Sequence, residues 1–234
     1  MIGIITMFFY SYFLEPKIFF HLISSVNPPV KNNKFVALIF DDGPYGQATS
    51  KILDILKEKG VKATFFVIGK NTEEYPDILK REFNEGHIIG NHSYDHSKYL
   101  SILPGKELIN NIEKANNAIY KIIGKYPKFF RPPYGLQSPL MAKDIRNKGY
   151  VIVLCDDNTR DYEKSEDSNE IITSILKGIK PTAIIELHDG RDVKINYPRE
   201  NLIKALPLLI DKIREKGYEF VTVDKIIKEE PYFP

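Results

Sequence analysis

The chain has 234 residues, 43% hydrophobic and 27% charged, an ordinary globular balance with enough length to bury a substantial core. Lys and Arg outnumber Asp and Glu by 33 to 31, a net charge of +2 with no basic stripe, so nothing points to nucleic acid as a partner. Cys155 is the only cysteine, which excludes an intrachain disulfide and a cysteine-based metal cluster. Its neighbours Asp156 and Asp157 disfavour a thiolate, so it reads as a small apolar residue and not as a nucleophile.

The N-terminus opens with "MIGIITMFFYSYFL", fourteen residues without a charge, before Glu15, Pro16 and Lys17. As a helix this spans roughly 21 Å, short of the ~30 Å hydrocarbon core of a bilayer. No basic segment precedes Lys17 and no small-x-small cleavage site follows. Two readings of residues 1–30 stay open: a membrane anchor of marginal length, or an apolar helix packed on the domain. The flush apolar start favours membrane association through residues 1–25 and an envelope location, with a cytoplasmic one as the alternative.

From residue 31 to residue 234 short apolar runs alternate with longer amphipathic stretches. The runs are "FVALIF" (35–40), "ATFFVIG" (63–69), "HIIG" (87–90), "KFF" (128–130), "YVIVL" (150–154), "AIIEL" (183–187) and "YEFVTV" (218–223). Residues 48–60, 105–124 and 199–217 carry apolar positions at helical spacing, and each stretch ends in Gly. Strand-helix alternation with runs this continuous predicts a parallel sheet with helices outside. Seven units predict an α/β fold, a distorted or incomplete (β/α) barrel in one domain.

In such a fold the chemistry sits at the C-terminal ends of the strands. Five of the runs lead into unusual polar residues: "DDGP" (41–44), "NHSYDH" (91–96), "RPPYG" (131–135), "CDDNTRDY" (155–162) and "HDG" (188–190). His92 and His96 are four apart, so one turn of chain can aim both imidazoles at a single point. With a carboxylate from Asp41-Asp42 they make the open three-ligand set of a catalytic metal. A bound cation also makes two adjacent ionised carboxylates tolerable, one as a ligand and one as a base. His87, Asp95 and Asp189 read as structural or solvated, Asp189 as a cap on whatever follows His188.

These five motifs, in this order, with "KATFFVIGKN" and "EGHIIGNHSYDH" between them, resemble the polysaccharide deacetylases with a NodB-homology domain, carbohydrate esterase family 4. The resemblance covers roughly residues 31–227. It implies Asp41 as catalytic base, Asp42, His92 and His96 as metal ligands, and Arg131 as the residue holding Asp41. It further implies the Tyr134 backbone N–H as oxyanion donor, Leu187 as lining for the acetyl methyl, His188 as general acid, and Asp161 as its orienting carboxylate. Tyr162 stands where the family usually ends its fourth motif in Trp, and Cys155 occupies an upstream Trp position; the chain has no Trp.

The activity implied is metal-dependent hydrolysis of N-acetyl groups on N-acetylglucosamine units of a peptidoglycan-like or chitin-like glycan, by a monomer. The metal implied is one divalent ion, zinc first, with cobalt, nickel or iron as alternatives. Two other readings are a lipid-linked amino sugar or small amide or imide as substrate, and a glycan-binding module without catalysis. Retention of Asp41, Arg131 and His188 argues against the last, because binding alone requires neither a base nor an acid.

Overall fold

Strand β1 (Phe35–Asp41) opens with six consecutive apolar residues and is buried on both faces, which fits a central strand of a parallel sheet. The computed structural model describes residues 34–98, 105–135, 137–155, 167–190 and 199–234. Those from Asn32 onward belong to one compact unit. The remaining strands are β2 (Thr64–Val67), β3 (Ile88–Asn91), β4 (Phe129–Phe130), β5 (Val151–Ile152), β6 (Thr182–His188) and β7 (Glu219–Phe220).

All pair in parallel, in the order β5-β4-β3-β2-β1-β6, and β7 joins the N-terminal end of β1 in line with β2. No pairing between β5 and β6 closes the sheet among the described residues, so it is a curled, open barrel of seven strands. The predicted α/β architecture is therefore the observed one.

Helices fill the crossovers: α1 (Gly46–Glu58), α2 (Gly69–Glu74), α3 (Pro76–Asn84), α4 (Lys106–Ile123), α5 (Pro139–Asn147), α6 (Ser168–Gly178), α7 (Glu200–Glu215) and α8 (Val223–Ile227). The stretches read as helical from spacing are α1, α4 and α7, and α4 ends where Gly124 takes a left-handed conformation (φ 67°). The pleat sends alternate residues to opposite faces. Val36, Leu38 and Phe40 of β1 and Ala183, Ile185 and Leu187 of β6 join the core under the helices with Leu53, Leu56, Leu206 and Leu209. Ala37 and Ile39 and, from β6, Ile184 face a smaller cluster inside the curl with Phe66, Phe129 and Val153.

Because every strand is parallel, Asp41, Asn91, Phe130 and His188 all arrive at one end of the sheet. The register sets Asp41 beside His188 and Asn91 beside Phe130. Sequence distance between the motifs is removed by the topology alone. Leu56→Ala, in the fully buried face of α1, is expected to lower unfolding free energy by about 2–5 kcal/mol through lost burial and a residual cavity. Urea denaturation checks this, with an unchanged m-value; a loss below about 1 kcal/mol would mean that the helix-facing core is not packed as described.

Candidate active site

The loops after the strands hold their polar residues in uncommon backbone conformations. Of the five non-glycine residues with positive φ among the described residues, four are Asp42 (72°), Ser93 (69°), His96 (53°) and Tyr134 (59°), all at this end of the sheet. A left-handed conformation is costly for such residues and persists only where the surroundings enforce it. Here side chains do so. Asn91, buried at the end of β3, accepts the Ser93 N–H at 2.7 Å, and Ser93 Oγ accepts the His96 N–H at 3.1 Å. Asn71 Nδ2 donates to the Asp42 carbonyl at 2.7 Å. The loop is fixed from both sides, and the histidines with it.

Asp42, His92 and His96 are buried together, with one candidate ligand atom from each lying within 4.8 Å of the others. His96 Nε2 is 3.2 Å and His92 Nε2 3.6 Å from Asp42 Oδ1. Ligands of a tetrahedral ion with bonds of ~2.0–2.1 Å stand roughly 3.3–3.4 Å apart, so the spacing fits a divalent cation. The donor chemistry fits as well. His92 donates its Nδ1–H to the Arg131 carbonyl at 2.8 Å, which leaves the Nε2 lone pair directed at the site. Burial, with neighbouring His96 next, holds the His92 pKa down at about 3, so the ring is neutral at physiological pH. For Asp42, burial works to raise the pKa, but the facing His96, His188 and His92 outweigh it and the pKa is lowered. Asp42 Oδ1 is buried without a hydrogen-bond donor, an arrangement that a cation completes.

Asp41 is held differently. Arg131 is only 1% exposed, and its Nε donates to Asp41 Oδ2 at 2.6 Å. That oxygen lies 4.0 Å from His92 Nε2, beside the three-ligand set but outside it. Tyr134, in the 3-10 turn Pro133–Gly135, lays its ring 4.5 Å from that of His96. His188 ends β6 directly across from Asp41. Asp41, Asp42, His92, His96, Arg131, Tyr134 and His188 are thus brought together. Asp161 and Tyr162 lie outside the described residues.

Leu187 is not brought to this face. It is fully buried in the core under the helices, because the pleat turns it away from its neighbours Glu186 and His188. Glu186 faces the site in its stead, a residue the motif reading passed over. The alternation within "IIELHD" was the available signal: the residue sharing a face with His188 is two before it, not one.

Asp189 serves the start of α1; the segment after Gly190, which it was expected to cap, lies outside the described residues. Its Oδ2 accepts from Thr49 Oγ1 at 2.5 Å, and Thr49 Oγ1 accepts the Tyr45 N–H at 2.8 Å. Burial raises the Asp189 pKa to about 7. The Asp189 and Gly190 N–H groups both donate to the Asp41 carbonyl, at 3.2 and 3.3 Å, and the Gly190 carbonyl accepts from Arg199 Nε and Nη2. His87 is structural: its Nδ1 accepts the Ala63 N–H at 3.1 Å, and burial holds its pKa down at about 4.

A polysaccharide deacetylase family model matches residues 29–153, more than half of the chain. The chain belongs to the polysaccharide deacetylase family. It is 36% identical over 202 residues to the peptidoglycan-N-acetylglucosamine deacetylase PgdA of Listeria monocytogenes, covering 86% of this chain and 41% of that protein. The chain therefore spans about two fifths of the length of that relative. The crystal structure of the Bc1960 peptidoglycan N-acetylglucosamine deacetylase is 35% identical with a TM-score of 0.78, over 86% of this chain and 92% of that one. A family 4 acetyl xylan esterase from Clostridium thermocellum, solved with a cobalt ion, is 33% identical with a TM-score of 0.73, over 83% and 91%.

One close backbone approach bears on the loop that carries Asp42. A Cβ on Gly190 would lie 1.9 Å from the Asp42 carbonyl oxygen, so any side chain there must displace the loop that carries Asp42. Gly190→Ala is expected to weaken divalent-metal affinity by about 10–100-fold, the usual scale for disturbing the support of a ligand. Titration calorimetry with zinc reads this directly; wild-type affinity in a folded variant would show that the loop yields freely.

Proposed function

We propose that the protein is a metal-dependent N-deacetylase that removes acetyl groups from N-acetylglucosamine units of peptidoglycan at the cell envelope. One observation carries the reading: a buried carboxylate pinned by Arg131 stands beside a separate Asp–His–His set that suits a divalent ion. A binding module has no use for that division of labour between neighbouring aspartates. The relatives named for peptidoglycan N-acetylglucosamine support the substrate class. Asp42, His92 and His96 would hold the metal, and nitrogen-rich ligation with one carboxylate favours zinc over harder ions.

When bound, the ion supplies Lewis acidity, which lowers the pKa of water and polarises the amide carbonyl. Asp41 accepts a proton from the water that attacks the amide carbon. Its ion pair with Arg131 keeps the receiving oxygen oriented. The Tyr134 N–H donates to the oxygen that becomes negative at the tetrahedral stage. His188 donates a proton to the amide nitrogen as the C–N bond breaks, which an amine leaving group requires. Acetate and the free amino sugar result. Asp161 would orient the His188 ring, and Tyr162 would contact the sugar at the rim. Among the described residues no helix is long and apolar enough to cross a membrane, and we assign envelope attachment to residues 1–25, which lie outside the described residues.

Acetate release from peptidoglycan, chito-oligosaccharides, acetylxylan and a lipid-linked amino sugar tests the substrate. Peptidoglycan is expected to rank first, and no release from any member with metal added back defeats the proposal. Asp41→Asn is expected to keep its metal and lose about 10²–10⁴-fold in rate, a loss that added metal does not repair. Asp42→Asn is expected to lose metal and regain part of its rate at high metal concentration. Elemental analysis beside acetate release separates the two, and a metal-free Asp41→Asn with a loaded Asp42→Asn would exchange the roles. His188→Ala is expected to retain metal and slow amide cleavage by about 10²–10⁴-fold, with a smaller loss on an aryl acetate. Equal losses on both substrates would remove His188 from the acid role.

A further inference from the structure

Glu186 is a carboxylate that neither the motif reading nor the proposed reaction uses, yet it faces the reacting groups. On β6 it shares a face with His188, and it pairs in register with Ile39 as His188 pairs with Asp41. One ligand-capable atom each from Asp41, Glu186 and His188 falls within 4.8 Å of the other two. This trio is not a second metal site, because a buried cation already lies between its two carboxylates. Arg131 donates from Nε to Asp41 at 2.6 Å and from Nη2 to Glu186, and its Nη1 donates to the Val153 carbonyl at 3.3 Å. The second oxygen of Glu186 accepts from Cys155 Sγ at 3.2 Å. Burial raises the Cys155 pKa to about 12, so the thiol stays protonated and remains a donor. The side chain of Glu186 is 12% exposed and is fixed at both oxygens.

We propose that Glu186 is a positioning residue of the deacetylation reaction, which orients the Arg131 guanidinium and through it the Asp41 carboxylate. The guanidinium is planar and presents its donors at fixed angles. Anchoring Nη2 on Glu186 therefore determines where Nε points, and Nε carries Asp41. The charge balance follows the same geometry. Arg131 meets both carboxylates from one buried position, so it compensates Asp41 and Glu186 together while its plane stays fixed between them. A buried carboxylate whose only role was to fill space would be outperformed by an apolar residue of similar volume. Cys155 belongs to the same device, as the donor that keeps Glu186 from turning towards water.

This inference rests on the deacetylase reading, and its test separates the two. Wild type, Glu186→Gln, Arg131→Lys and the double variant are assayed on an amide substrate and on an aryl acetate, with metal content measured for each. Gln keeps the shape of Glu186 and one acceptor oxygen, and removes its charge and its second acceptor. The expected result is a kcat lower by about 10–100-fold on both substrates, with KM within about two-fold and metal content unchanged. In the Arg131→Lys background, where no planar fork remains to orient, Glu186→Gln should cost less than about three-fold more.

A kcat equal to wild type overturns the inference, as does a loss confined to the amide, which would attach Glu186 to His188 instead. Metal loss, or losses that multiply fully in the double variant, overturn it too. If Glu186→Gln does not fold, Cys155→Val removes the Sγ contacts with Glu186 and with Arg131 Nη2 and is expected to lower kcat on both substrates without changing KM; an unchanged kcat is then decisive against the role. A wild type inactive on both substrates defeats both readings, whereas an active wild type with an unimpaired Glu186→Gln defeats this one alone.

Discussion

Two carboxylates, consecutive in sequence and each less than one tenth exposed, share the end of the central strand, and the rest of the site answers that concentration of negative charge. Neither could be buried alone without a cost of several kcal/mol. The solution is to compensate them separately. Asp41 meets a guanidinium that is itself buried, whereas Asp42 meets two imidazoles and the space for a cation between them. The left-handed conformation of Asp42 makes the separation possible, because a regular strand would send the two side chains to opposite faces of the sheet. With φ positive, both carboxylates stay on the reacting side while facing different partners. Nearly every other unusual feature nearby maintains that turn, from the Asn71 hydrogen bond to the Gly190 contact and the N–H groups that Asp189 and Gly190 donate to Asp41.

This division has a chemical consequence. A carboxylate that ligates a metal has its lone pairs engaged and is a poor proton acceptor, whereas one paired to Arg131 keeps an oxygen available. Adjacent residues of one chemical type acquire different reactivities purely from their partners. The same logic runs through the histidines. His92 is kept neutral by burial, and donating its Nδ1–H to a backbone carbonyl leaves the Nε2 lone pair free to face the site, which suits a ligand. His188 stands across from Asp41 at a half-buried position, where a ring can exchange protons.

Much of this was legible in the sequence. Apolar runs buried on both faces announced the parallel sheet, and polar residues clustered after those runs announced the reacting end. His92 and His96 could be paired from their spacing, because a helical turn or a tight loop across four residues brings both imidazoles to one point, here a loop. What reading by motif missed was which face each residue takes near a strand end, although the alternation along β6 carried it. Leu187 and Glu186 show the difficulty: a motif defines neighbours along the chain, but the pleat decides which of two neighbours sees the substrate. Support from a distance was also invisible. Thr49, Arg199 and Asn71 act on the site from α1, from the start of α7 and from α2, and no local pattern marks them. The short helices α2 and α3 escaped detection for a related reason, since six and nine residues give too few turns for periodicity to register.

The supports of the site also differ in how they can fail. Contacts made by backbone, such as those at Gly190 and between the Asp41 carbonyl and the two N–H groups that follow His188, tolerate no intermediate: a side chain fits or the loop moves. Contacts made by side chains, such as Arg131 with Asp41 and Glu186, can be weakened by degrees, through charge, length or planarity. The paired aspartates rest on both kinds: Gly190 and the two N–H groups on the Asp41 carbonyl fix the turn by backbone, whereas Asn71, Asn91 and Ser93 hold the loops, and Arg131 holds Asp41, by side chains. A variant at Gly190 should therefore move the loop that carries Asp42 as a unit, while variants around Arg131 should alter the setting of Asp41 by degrees.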